Sequence, residues 1–233
     1  MYAKRKFAVL ASASLLSLGI AAQDTATRGS GQQPDTRAST ADIEQVIADW
    51  KPKPRDVART MLKKYGAPQE ITEQRLVWHN NGPWKRTELI NEEIDHRFPL
   101  PHKDMLLQVV NYQVPPDRFD ELAQYDGSVI AERTRGELAA RCDKEAANIL
   151  ALNLAHEIAS GDRSVEDAKK AYTEQIIAMA KGESAPLTKK LNFQPMPDAG
   201  DPDQMTMAQA TADQVKQLMK QKEQQKQKEQ PKK

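Results

Sequence analysis

The sequence predicts an α+β fold: a small antiparallel sheet of about four strands with helices packed on one face, a flexible N-terminal linker and a Lys/Gln-rich helical or disordered C-terminal tail. Three features predict it. Short runs of strand formers bounded by turn residues recur between residues 75 and 134. Apolar residues at helical spacing lie before and after those runs. Residues 23–40 and the C-terminal tail are polar and lack the apolar residues that could bury a core. The body between them, residues 41–182, is one domain's worth of chain, long enough for a real core.

The first 22 residues have the layout of a secretory signal peptide. Lys4, Arg5 and Lys6 precede an apolar run, Phe7 to Ala22, that ends in small residues. That run is short for a bilayer span, which takes about 20 apolar residues, and no later stretch is apolar enough. The expected location is therefore the periplasm or the exterior, reached through a cleaved signal. Residues 23–40 follow as a polar linker. A single cysteine, Cys142, excludes an intramolecular disulfide framework, so stability must come from packing. A net charge of +1 gives no global pull toward acidic or basic partners.

Two short helices open the body. Thr40 is placed to cap the first, with Ile43, Val46, Ile47 and Trp50 on one face, and the Lys51-Pro52-Lys53-Pro54 run stops it. Pro54 suits the first turn of a second, Arg55 to Tyr65, which Gly66 ends. The corner Tyr65-Gly66-Ala67-Pro68, leading into a strand with Trp78, resembles a corner of small exported modules of outer-membrane assembly lipoproteins. That likeness of a common turn assigns no family.

Arg75 to Asn80 and Trp84 to Asn91 read as a strand pair around Asn80-Asn81-Gly82-Pro83. Pro83 lacks the N–H that would close an Asn81-Gly82 turn, so a four-residue loop or a turn closed by the Gly82 N–H is expected. A third strand is predicted over 105–114, a short helix over 117–124 and a fourth strand over 128–134. A long helix follows from about Gly136 to Ser160, then another from Ser164. Residues 183–233 form a Pro-rich linker and a basic tail with a helix over 204–230; from Gln204 to the end of the sequence seven Lys face three acids. Such a tail keeps a chain soluble, and it could also make peripheral contact with an anionic membrane surface.

Chemistry is sparse in these patterns. There is no GxSxG elbow, P-loop or GxGxxG. Ser128 has no visible base. On a helix, Cys142 and His156 share a face but stand about 21 Å apart, so a thiol–imidazole pair is rejected and a buried structural thiol is the ordinary reading. His79, His96 and His102 are weak metal candidates. The Arg97-Phe98-Pro99-Leu100-Pro101 segment between the last two favours an extended path of up to about 19 Å. No cofactor and no catalytic set is predicted. Trp84, Lys85 and Arg86 at the hairpin tip, with Arg133 and Arg135, are the candidate contact surface, an indole among cations that could grip an anionic polymer. The expected function is a non-catalytic exported module that binds an envelope polymer or a protein partner. The alternative is a hydrolase using His and carboxylate residues, with or without a metal. Nucleic acid is not an expected partner, because export and a tail without aromatics both argue against it.

Overall fold

A computed structural model describes residues 39–229. The predicted signal peptide and all but the last two residues of the predicted linker lie outside the described residues. The element order is α1 (Thr40–Ala48), α2 (Pro52–Tyr65), β1 (Glu70–Ile71), β2 (Arg75–Asn81), β3 (Trp84–His96), β4 (His102–Asn111), α3 (Phe119–Tyr125), β5 (Val129–Glu132), β6 (Glu137–Cys142), α4 (Glu145–Ala159), α5 (Val165–Lys181) and α6 (Gln209–Glu229), with short 3₁₀ turns at Pro116–Arg118 and Pro186–Thr188. The fold is mixed α+β. Its sheet has six strands in the order β1-β2-β3-β4-β6-β5, every pair antiparallel.

This corrects the four-strand expectation. The added strands are β1 and β6. Residues 137–142 are rich in Glu, Leu, Ala and Arg, all good helix formers. They are nevertheless a strand, because β4 on one side and β5 on the other satisfy both edges of their backbone. Tertiary pairing overrides propensity there, and the helix starts only at Glu145. The tail is corrected as well. From Gln209 it is helix α6 rather than disordered chain, since no Gly or Pro interrupts 21 residues of mostly strong helix formers.

Local chemistry explains most boundaries. Ser39, not Thr40, caps α1, in a reciprocal capping box with Asp42. The β2–β3 turn is neither a four-residue loop nor a turn closed by Gly82. Asn81 pairs directly with Trp84, leaving Gly82 and Pro83 as the two central residues. Gly82 has φ +68°, and proline's fixed negative φ follows, which is the type II′ pattern. Shifting the turn by one residue removes the need for an N–H at Pro83.

Cross-strand partners share a face of the sheet. Leu76, Trp78 and Leu89 therefore lie on the same face as Leu106, Val110, Leu138 and Ala140. Against the first part of that face pack Ile43, Ile47, Trp50, Ala58 and Met61 of the N-terminal helices. Against the second pack Leu150, Leu152, Leu154 and Ile158 of α4, together with Tyr125 and Tyr172. On the opposite face, Arg86, Glu88 and Glu137 form a charged layer over Val109 and Ala139.

The Pro-rich stretch after Gly182 is ordered against the body. Phe193 is buried, and Asn153 on α4 donates to the carbonyls of Leu187 and Lys190 and accepts from Asn192 N–H. Further along, Met196 N–H donates to Asn111 O and Asp201 N–H to Arg133 O. Gly136 admits this strap. Its φ is +60°, and a Cβ there would lie 2.1 Å from the Ala199 carbonyl carbon. Gly136→Ala is therefore expected to cost about 2–3 kcal/mol, from left-handed backbone strain plus displacement of the strap. Urea denaturation measures it; a loss below about 0.5 kcal/mol would show that the strap is not held.

Candidate metal centre

At one end of the sheet, His96, His102 and Asp104 converge. One ring nitrogen of each histidine and one carboxylate oxygen lie within 4.8 Å of one another. The strand period builds this group. His102 and Asp104 are two apart on β4, so both face the same side as Leu106, toward the helices. His96 is the cross-strand partner of His102, and their ring centroids are 4.9 Å apart. The reversal over residues 97–101, with a cis Phe98–Pro99 peptide, makes β3 and β4 a hairpin. The expected extended path between the two histidines is thus overturned: both prolines sit in the turn rather than along a spacer. The third weak candidate, His79, stands apart on β2, where it pairs with Glu70 of β1 at 2.6 Å.

The surrounding contacts orient both imidazoles and set the tautomer of His102. His102 Nδ1 lies 2.9 Å from the carbonyl of Leu100, an acceptor, so Nδ1 carries the proton and Nε2 the lone pair. His102 Nε2 faces Asp104 Oδ1 at 3.0 Å. His96 Nε2 faces Asp126 Oδ1 at 3.4 Å, and its Nδ1 faces Asp104 Oδ2 at 3.3 Å. A ring tied through one nitrogen to a backbone carbonyl, with the other nitrogen facing a carboxylate, as in His102, is an arrangement that orients metal-ligating histidines. Asp126 is placed by the turn after α3, where its carboxylate accepts the Ser128 N–H at 2.8 Å. Burial pushes the Asp126 carboxyl up, against the opposing pull of that N–H and of His96.

Two carboxylates buried in one cluster call for positive charge nearby. Asp104 is 1% exposed in its side chain and Asp126 4%. Asp104 Oδ1 has no hydrogen-bond partner of good geometry despite its burial. An ion within the group would satisfy it. A circle enclosing atoms no more than 4.8 Å apart has a radius of at most about 2.8 Å, and zinc takes nitrogen and oxygen ligands at about 2.0–2.2 Å. Sub-ångström closure of the side chains therefore suffices.

A serine nucleophile fits less well. Ser128 Oγ lies 3.2 Å from His96 Nδ1, but it hydrogen-bonds to Asp104 Oδ2 as well, and Ser128 is buried. Its one proton goes to the nearer, charged acceptor, and no substrate carbonyl can reach it. Cys142 proves to be on β6, not on a helix, with Sγ 3.4 Å from His102 Nε2. Burial and the neighbouring Asp143 push the thiol well up. His156, in the last turn of α4, lies 2.8 Å from Tyr112 Oη and stacks on Phe193.

His102 separates two depressions. An open cleft of about 430 Å³ is lined by His96, His102, Lys53, Arg97 and Lys103 among others. A smaller apolar cavity of about 180 Å³ is lined by Leu100, His102, Cys142, Ala147, Tyr172 and Ile176 among others. Another cleft, of about 680 Å³ beside α1, is lined by no histidine or cysteine.

The predicted contact surface is arranged differently from expectation. Trp84 is buried, and its Nε1 donates to Glu145 at 2.6 Å. Lys85, Arg86 and Arg135 do come together, but around Glu137, at 2.9, 2.7 and 3.2 Å. Glu88 and Glu132 complete the set, so three cations meet three carboxylates. Arg133 turns away to Asp201 and Asp203. These residues leave neither an exposed indole nor a net positive face. Among the described residues no helix is long and apolar enough to cross a membrane. No protein-family model, curated protein or solved structure matches this chain.

Proposed function

We propose that this chain is an exported protein that binds one divalent transition-metal ion through His96, His102 and Asp104. The observation that carries the reading is that one ring nitrogen each of His96 and His102 and a carboxylate oxygen of buried Asp104 lie within 4.8 Å of one another, with the His102 ring oriented by the Leu100 carbonyl and Asp104 Oδ1 left without a hydrogen-bond partner. Nitrogen-rich ligation favours zinc, cobalt or nickel over magnesium and calcium, which prefer all-oxygen shells. Export rests on the signal-like layout of residues 1–22. An ion is a better-supported ligand than an anionic envelope polymer, since the basic residues that would grip the polymer are paired with acids of the same chain.

Native mass spectrometry tests this. The full chain, purified without chelator and equilibrated with zinc, is expected to carry one ion per chain, which a strong chelator removes. A chain that stays metal-free in excess zinc, cobalt and nickel would overturn the proposal.

A further inference from the structure

Three protein ligands leave a tetrahedral ion one position short, and what fills it decides between water-activating chemistry and simple retention. We propose that Cys142 Sγ is the fourth ligand, giving a closed His96–His102–Asp104–Cys142 site of the zinc class. This rests on the metal-binding reading above and specifies the ion that site takes.

Register brings the cysteine there. Cys142 on β6 is the cross-strand partner of Leu106 on β4. Leu106 shares its face with Asp104 and His102, so all of these side chains point to the helix side of the sheet. The sulfur lies 3.4 Å from His102 Nε2, the nitrogen whose lone pair is left free by the Leu100 carbonyl. Zinc–sulfur and zinc–nitrogen bonds of about 2.3 and 2.0–2.1 Å at a tetrahedral angle hold S and N about 3.5 Å apart. The spacing at this edge is thus already that of two ligands on one ion. The same nitrogen lies 3.0 Å from Asp104 Oδ1, the buried oxygen without a hydrogen-bond partner.

Cys142 meets the tight group of three at its His102 edge. Closing the site draws the sulfur inward, and the apolar cavity of about 180 Å³ beside it gives the side chain room to move. The chemistry balances simply: the S–metal bond forms as the thiol proton leaves to solvent, and no electron is transferred. The proton joins the charge count usefully, because a thiolate and one carboxylate together neutralise a divalent ion.

Two consequences follow. A thiolate makes the site soft, so it takes zinc or cobalt and rejects magnesium and calcium. With four protein ligands there is no place for a bound water, so the ion is held rather than used for hydrolysis.

Cobalt substitution of the full chain is the test. Wild type loaded with Co²⁺ is expected to show the near-ultraviolet thiolate-to-cobalt charge-transfer band and the strong visible bands of a four-coordinate ion. Cys142→Ser should still bind one cobalt through the remaining ligands, with the charge-transfer band gone and affinity weaker by about tenfold or more. Cys142→Ala, checked for folding by its thermal transition, should behave alike. Cobalt bound by wild type without the charge-transfer band, or identical spectra and affinities in wild type and Cys142→Ser, would overturn the thiolate ligand and leave the three-ligand site standing. Failure of wild type to bind cobalt or zinc at all would overturn the metal reading itself.

Discussion

Zinc is expected to raise the melting temperature of the wild-type chain by about 5–16 °C and that of Asp104→Asn hardly at all. The arithmetic is linkage. An ion that binds only the folded state stabilises it by about 2.7 kcal/mol at 100 times Kd and about 4.1 kcal/mol at 1,000 times Kd. In a domain of this size each kcal/mol moves the melting temperature by about 2–4 °C. Asparagine keeps the shape of Asp104 and its reach to Ser128 Oγ, but removes the charge that faces both histidines. Its apo form should therefore stay folded, which separates loss of the ligand from loss of the fold. Ion affinity should fall by at least about 100-fold, beyond the 10- to 100-fold typical of outer-shell changes. Differential scanning fluorimetry with zinc and with chelator reads both quantities. Equal shifts in the two proteins would sink the assignment of Asp104.

Glu145→Ala should be the most damaging single change away from the candidate metal site, at about 3–5 kcal/mol. Glu145 opens α4, where a negative charge also suits the helix N-terminus. Its carboxylate accepts from Lys64, Tyr65 Oη, Trp84 Nε1 and Gln108 Nε2, and so joins α2, β3, β4 and α4 at one point. Truncation leaves the Trp84 indole, the Tyr65 hydroxyl and the Gln108 amide without their shared acceptor and the exposed Lys64 unpaired, and buried donors left unsatisfied are costly. Glu145→Gln, which keeps the shape and one acceptor, should lose about half as much.

The pH dependence separates these variants further. Burial alone would raise the Glu145 carboxyl, but hydrogen bonds from Lys64, Tyr65 and Trp84 outweigh it and hold it below its ordinary value of 4.5. A carboxyl depressed in the folded state contributes stability that is complete above its unfolded value and is lost as pH falls through the folded one. Wild type should therefore weaken more than Glu145→Gln on acidification below about pH 4.5. Urea midpoints across that range measure the difference. Parallel curves for the two proteins would show that the carboxylate contributes no proton-linked stability.

Parts of this structure are legible in the sequence. The hairpin around Gly82 follows from strand formers on either side of a turn pair, and α5 from its apolar spacing behind Ser164. Of the candidate metal centre, the sequence offers His96 and His102 but hides their convergence with Asp104, for two physical reasons. Beginning the third strand at Met105 hides the alternation His102-x-Asp104, which on a strand puts both side chains on one face. Treating Pro99 and Pro101 as parts of an extended spacer hides the pairing of His96 with His102. Cys142 is concealed by helix-forming neighbours whose strand state is imposed by partners far along the chain. Asp126 and Ser128 arrive by a turn whose position against β4 no local pattern encodes. The basic residues at 85, 86, 133 and 135 were visible, but the acids that neutralise them were not, because Glu137 and Asp201 meet them only through sheet order and the C-terminal strap.

The strap also sets an order of events in biosynthesis. A growing chain that has emerged as far as Gly182 contains every strand of the sheet and helices α1 to α5. It still lacks Phe193, which closes over Tyr112 and His156, and the backbone that fills the gap above Gly136. Until residues 186–201 arrive, the site of Phe193 is open to water and Asn153 has lost all three of its partners. The nascent domain therefore passes through a stage that is complete in topology but unsealed. In that stage it exposes an aromatic seat to other chains, and only the last packed segment ends the exposure.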